Sequence, residues 1–380
     1  MSRPALIDKL MQAGKWLFKP ELIPVPGLVK TGGGLAVDTE TGKLYVDFSL
    51  VPDDQMQAIV LAMVQTGGGL AVDKTGKLYV DFASMPTDKF EAMLKSIRVP
   101  IWLTKNMTIY VATTGSDTLD EGRGLTEDKP FATLQAALNY VSDTYNLSRY
   151  NLTIRLAEGD YGDASIQLPD YTTSSGRITV QGATADAEDV IVGRISINTP
   201  VEYYVDHLTI KAASPVQGAL YVCDCQNGTI NLRNIIFDLR NCEPLPSQPY
   251  RALCSRGGTI RIPSTNADNP TGIKILPHST RAFTPLYATV GTISFIADVT
   301  VDGDMTVSEG FAYATNGGTI QRGWYGDTNP GRLPVVSSTG SVTGRRYTAS
   351  MNGVIYTYNG GAEFFPGSES GVLSTGGQYS

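Results

Sequence analysis

Beyond residue 150 the apolar positions fall on every second residue in short runs, the pattern of strands with one face buried. Leu152-Thr-Ile-Arg-Leu156, Arg177-Ile-Thr-Val180 and Val190-Ile-Val192 begin the series. Leu208-Thr-Ile210, Ile235-Ile-Phe237, Ile273-Lys-Ile275 and Val299-Thr-Val301 continue it. Between them a Gly-Thr-Ile tripeptide recurs at Gly228, Gly258, Gly291 and Gly318, at intervals of 30, 33 and 27 residues. A turn residue feeding a β-branched pair once per coil is expected of a wound, stacked β architecture. Roughly eight coils at strand spacing would give a rod on the order of 40 Å long.

Upstream the pattern changes. Thr31-Gly-Gly-Gly-Leu-Ala-Val-Asp38 returns as Thr66 to Asp73, and Gly42-Lys-Leu-Tyr-Val-Asp-Phe48 as Gly76 to Phe82. Each copy predicts a hairpin, then Pro52 or Pro86, then a helical stripe. The stripes are Met56, Ile59, Val60, Met63 and Phe90, Met93, Leu94, Ile97, so each unit reads as ββα. Units of this size have little core of their own, which points to packing against symmetry mates. In residues 1–30, Leu6, Ile7, Leu10, Met11, Trp16 and Leu17 suit one side of a short helix that Pro20, Pro24 and Pro26 end. That helix suits either a docking element or a helix folded onto its own domain. Thr133 is placed to cap a helix carrying Leu134, Ala137, Leu138 and Val141. The chain thus divides into an attachment segment (1–30), tandem repeats (31–65 and 66–99), a linker strand with a capping helix (100–150), and a wound β region with a closing segment (151–380).

Charge and composition narrow the function classes. A net charge of −7 with no basic stripe argues against nucleic acid. No run of eighteen apolar residues predicts a membrane span, and Met1 to Pro26 does not resemble a secretory signal. Synthesis in a reducing cytoplasm is therefore expected. Cys223, Cys225, Cys242 and Cys254 are expected to be buried core thiols, since Cys-x-Cys is tighter than the usual zinc spacing. The glycine loops do not form a phosphate loop, because six residues separate Gly69 from Gly76-Lys77 and Leu78 stands where a hydroxyl is needed. No cofactor is read from the sequence.

Three segments carry a family likeness. They are Ile109 to Asp117, Gly124 to Leu138 (with Lys129-Pro-Phe-Ala-Thr-Leu134), and Ile154 to Tyr161 with Glu158-Gly-Asp-Tyr161. They resemble the opening of a right-handed parallel β-helix of the pectate-lyase-like superfamily. Arg346-Tyr347, Gly353-Val-Ile355, Gly360-Gly361, Phe364-Phe-Pro-Gly367 and Gly376-Gly-Gln-Tyr379 resemble the closing segment of phage and prophage tail proteins. The resemblance implies a bacteriophage tail fibre, tail spike or fibre adaptor: an elongated homotrimer on the virion. Its N-terminal region would meet tail or baseplate proteins, and its β-helix would meet host surface carbohydrate or another fibre.

Relatives of that fold that cleave polysaccharides make a depolymerase, a hydrolase or lyase, the alternative. A non-viral surface β-helix protein or epimerase is a third reading. Glycoside hydrolysis needs two carboxylates at a set separation, and the candidates are Asp298, Asp302, Asp304 and Glu309. Asp302 and Asp304 flank Gly303 at an expected turn. Asp206 and His207 are expected on opposite strand faces and so not to pair. His278 has no partner visible in sequence. Asp117, Asp120 and Asp128 depart from the calcium-loop spacing and suit turn capping. Trp324-Tyr325-Gly-Asp327, with Tyr313 and Tyr347, suits either sugar contact or burial in a core or trimer seam. No catalytic, cofactor or metal residue is nominated.

Overall fold

The computed structural model describes residues 100–211, 221–242, 250–264, 272–278, 280–323 and 333–380, with short strands at 35–37, 44–46, 70–72 and 78–80. Two compact units are present, Met1–Val99 and Pro100–Ser380. In the first, Leu35–Val37 pairs antiparallel with Leu44–Val46, Leu35 facing Val46. Leu70–Val72 and Leu78–Val80 repeat the arrangement, Leu70 facing Val80. The duplicated sequence thus forms the same hairpin twice. The two helical stripes and the segment 1–30 lie outside the described residues.

The second unit is mainly β, a parallel sheet nearly closed on itself in the manner of a parallel β-helix. Its strands fall on three faces, here I, II and III, and the chain visits them in turn. Face II holds Val190–Val192, 208–211, 235–238, Ile273–Leu276, Val299–Val301 and Val336–Ser338. Face III holds Ile166–Leu168, 195–198, 221–225, Tyr250–Ser255, Ala282–Thr289, Ala312–Thr315 and Tyr347–Ala349. Face I begins with Met107–Val111, Leu152–Leu156 and Ile178–Gly182. It continues through 203–206, 229–233, Thr259–Ile262, Thr292–Phe295 and Thr319–Arg322 to Val354–Tyr356 and Gln378–Tyr379. Ten strands at about 4.8 Å spacing make this ladder about 43 Å long. The strands Ile195–Lys211 and Tyr221–Asp238 run continuously through all three faces and pair along most of their length. The first rung is Met107–Val111, so the winding starts before the helix rather than after residue 150.

The repeated tripeptide stacks on itself. Thr229, Thr259, Thr292 and Thr319 pair in sequence, and so do Ile230, Ile260, Ile293 and Ile320, followed by Ile355. All five isoleucines are fully buried. In a parallel ladder the inward position of one coil lies over the inward position of the last, so one periodic residue builds a continuous apolar column. The glycine before each pair is required by close approach. A Cβ on Gly318 would lie 2.3 Å from the Ala288 carbonyl oxygen, and one on Gly353 2.2 Å from that of Ala314.

The helix α1 (Leu134–Thr144) takes the place of a face III strand in the first coil. Thr133 Oγ1 accepts from the Ala136 amide, and Leu134, Ala137, Leu138 and Val141 are buried, the stripe read from sequence. Gln135 accepts from the Gln167 amide at 2.7 Å and donates to its carbonyl at 3.0 Å, satisfying the edge of Ile166–Leu168 that no preceding strand covers. At the other end Phe365 is fully buried against Phe311 and Phe295, while Tyr347 stacks on Tyr379 at 3.8 Å. No described helix is long and apolar enough to cross a membrane.

Ile293→Ala should lower unfolding free energy by about 3 kcal/mol in urea denaturation, the cost of a buried cavity. Thr292→Ser, one residue away and outward, should stay within about 0.5 kcal/mol. Equal effects would contradict the inward column.

Candidate functional site

Alternation along face III sorts its side chains. Cys223, Leu253, Leu286, Ala312 and Tyr347 occupy one inward column. Asp224, Cys254, Tyr287, Tyr313 and Thr348 occupy the adjacent outward one. Tyr221, Arg251 and Thr284 stack three residues earlier on the same strands, on the outward side because the pairing skips 222, 252 and 285 and strand parity breaks there. Five coils thereby gather tyrosines, guanidinium groups and carboxylates on one outward surface.

Two arginines organise it. Arg256 closes a fork on Asp224, Nε to Oδ1 at 3.0 Å and Nη2 to Oδ2 at 2.5 Å, and lies 4.6 Å over the Tyr221 ring. Gln226 also donates to Asp224 Oδ2 at 3.0 Å. Arg251 lies 3.6 Å over the Tyr287 ring, and its Nη2 donates to Glu309 Oε2 at 3.0 Å. Its side chain is only 11% exposed. Tyr313 meets Tyr287 edge to face at 5.4 Å. Burial pushes the Tyr287 and Tyr221 phenols up, so both remain hydroxyl donors at neutral pH.

Glu309 reaches this surface through an irregularity. The strand Ala282–Thr289 pairs with Met305–Val307 through 282–283 and with Ala312–Thr315 through 286–289. Residues 308–311 lie between those two partner strands and bring Glu309 beside Arg251. Thr284 Oγ1 donates to Glu309 Oε2 at 3.4 Å and Thr348 Oγ1 to the Glu309 carbonyl at 2.6 Å.

The four acids read together in the sequence separate. Asp298 Oδ1 accepts from the Val335 amide at 2.8 Å, Asp302 Oδ1 from Thr339 Oγ1 at 2.9 Å, and Asp304 Oδ1 from the Ser341 amide at 2.7 Å. These three clip one coil to the next, and Gly303 at φ +125° makes the expected turn between them. Asp117 accepts from the Ala132 and Thr133 amides at 2.9 and 3.0 Å, and Asp120 pairs with Arg123 at 2.8 Å. His278 Nδ1 accepts from the Thr280 amide at 3.0 Å within its own turn. Trp324, Tyr325 and Asp327 lie outside the described residues. Tyr347 is inward and buried, whereas Tyr313 is outward. Among the described residues no group of three or more His, Cys, Asp or Glu side chains is arranged to hold a metal.

One expectation is overturned. Asp206 and His207 are on the same side, Oδ1 to Nδ1 at 2.6 Å. His207 sits at the corner between faces I and II with φ 53°, as Asn234 does one coil on with φ 48°. A left-handed residue breaks strand alternation. The contact is close but poorly aligned, and neither atom makes a hydrogen bond. Asp206 instead holds Arg233 through Oδ2 at 2.7 Å. Burial raises the Asp206 carboxyl against the opposing pull of Arg233 and His207.

The four cysteines are buried reduced thiols. Burial pushes the Cys225 thiol up to about 12 and also raises those of Cys223 and Cys254. A small thiol reagent at pH 8 should leave the folded chain unlabelled and titrate four groups after unfolding. Labelling of the native chain would contradict this packing. Arg256→Ala should cost about 2 kcal/mol, less than for a fully buried pair because Arg256 is 35% exposed. Arg261→Ala, which breaks the open pair with Glu202, should cost under about 1 kcal/mol. Urea midpoints distinguish the two.

A scan against protein-family models gives no match to this chain, and searches of the curated proteins and of the solved structures give none either.

Proposed function

We propose that this chain is a structural and adhesive component of a phage tail, a fibre, spike or fibre adaptor, whose face III contacts host-surface carbohydrate. The observation that carries the reading is the outward array of Tyr221, Tyr287 and Tyr313 with Arg251, Arg256, Asp224 and Glu309 on a stiff parallel stack. Aromatic faces pack against the apolar side of a sugar ring while hydroxyls, guanidinium groups and carboxylates meet its rim. The residue likeness to tail β-helix proteins supplies the setting, and with it location on the virion tail and docking to tail or baseplate proteins through the N-terminal region. We assign the winding the right hand that parallel crossovers nearly always take. A homotrimer would present the face three times and raise avidity without strengthening any single contact.

Binding is favoured over cleavage. Hydrolysis requires one carboxyl to deliver a proton and the other to act as base or nucleophile. Both oxygens of Asp224 are filled by the Arg256 fork, and Glu309 Oε2 is held by Arg251 and Thr284. Carboxylates held by arginines in this way orient a surface.

Light scattering of the full chain should give about three times 40.7 kDa. Retention on immobilised host-surface polysaccharide should fall at least about tenfold in the Tyr287→Ala, Tyr313→Ala double variant, since stacked rings carry such contacts. Unchanged retention would remove face III from the reading. Release of new reducing ends or unsaturated sugars would replace adhesion with depolymerisation.

A further inference from the structure

A second surface, at the corner where the first coils turn into face I, carries positive charge on Arg149 and Arg177. An open groove of about 530 Å³ lies between the first coils, lined by Arg149, Asn151, Thr173, Ser175, Arg177 and Glu202 among others. That volume lies within the usual range of small-ligand sites. Its lining offers hydroxyls, an amide and two guanidinium groups.

The arginines on and beside face I differ in their partners. Arg233 is neutralised by Asp206 at 2.7 Å and Arg261 by Glu202 at 3.2 Å. Among the described residues no carboxylate lies within ion-pair distance of Arg149 or Arg177. Arg149 donates to the Tyr150 hydroxyl at 3.1 Å and lies over that ring. Arg177 stacks 4.6 Å over Tyr204, on which Arg233 also lies at 5.3 Å. Buried Asp206 fixes Arg233, Arg233 and Arg177 share the Tyr204 ring, and Arg177 is thereby held in place with its charge unspent. Stacking orients a guanidinium while leaving its N–H edge available to an oxyanion.

The one carboxylate among the lining residues is engaged by partners outside the groove. Glu202 Oε1 accepts from Asn231 Nδ2 at 2.8 Å and from Arg261 Nη1, and the Glu202 carbonyl accepts the Tyr171 hydroxyl. Through Oε1 this carboxylate serves the next two coils, and it makes no ion pair with Arg149 or Arg177.

We propose that this groove binds a carboxylate-bearing saccharide unit, its acid group on Arg149 and Arg177 and its hydroxyls on Asn151, Thr173 and Ser175. A planar guanidinium fork matches a carboxylate, and clustered hydroxyl and amide groups match a polyol. The assignment extends the adhesive reading to a separate surface and a specific ligand chemistry, and it stands independently of face III.

The test is calorimetric titration of the full chain with a galacturonic acid trisaccharide, its neutral methyl ester and inorganic phosphate. The acidic trisaccharide should bind, more weakly as salt rises, and the ester at least about tenfold more weakly, the loss of a charge-assisted contact. Arg177→Ala and Arg149→Ala, both exposed, should each weaken binding about tenfold. Arg177→Lys should fall between, since it keeps the charge and loses the fork and stack. Tyr287→Ala should leave this binding unchanged, so failure of one surface is distinguishable from failure of the other. Three outcomes would overturn the proposal: no heat at millimolar trisaccharide, equal affinity for acid and ester, or inorganic phosphate binding as tightly as the trisaccharide.

Discussion

Parallel pairing in register is the constraint on which the second unit depends. Each strand offers its backbone to the coil before and the coil after, so register fixes which side chain lies above which. An inward residue in one coil obliges an inward residue in the next, and Ile230, Ile260, Ile293, Ile320 and Ile355 are the result. The same rule acts outside, where Tyr221 lies beneath Arg251 and Tyr287 beneath Tyr313. Both outward surfaces described here are by-products of a rule whose first consequence is the core.

The polar groups divide according to whether they hold coils together or remain available. Asp298, Asp302 and Asp304 each accept a hydrogen bond from the following coil and are consumed by the architecture. Asp224 and Glu309 are consumed by arginines, and those arginines in turn hold tyrosine rings in place. Arg149 and Arg177 stand apart, since their packing is against aromatic rings and leaves their charge unmatched. An acidic chain with a local cationic groove suits a selective anionic ligand better than a polyanion that would sense the whole field.

Much of face III was legible from the tripeptide intervals. The step of 30 residues carries Tyr221 to Arg251, and the step of 33 carries Cys254 to Tyr287. Applying the intervals to side chains other than the tripeptide finds the stack as far as Tyr287, and the step of 27 then misses Tyr313, which lies 26 residues on. Glu309 was hidden because residues 308–311 depart from the alternation that the intervals assume. His207 misled for a related reason: strand parity holds only while φ stays in the extended region, and a corner residue at φ 53° does not obey it.

The sequence by itself determined the local and the periodic: alternating strands, the Thr133-capped helix, buried cysteines and the coil repeat, because each is set by near neighbours or by a regular interval. The three-dimensional winding decided which acids meet which arginines. Coil lengths vary from step to step and corners interrupt parity, so the partner of an outward charge tens of residues away is fixed only when the coils are laid upon one another.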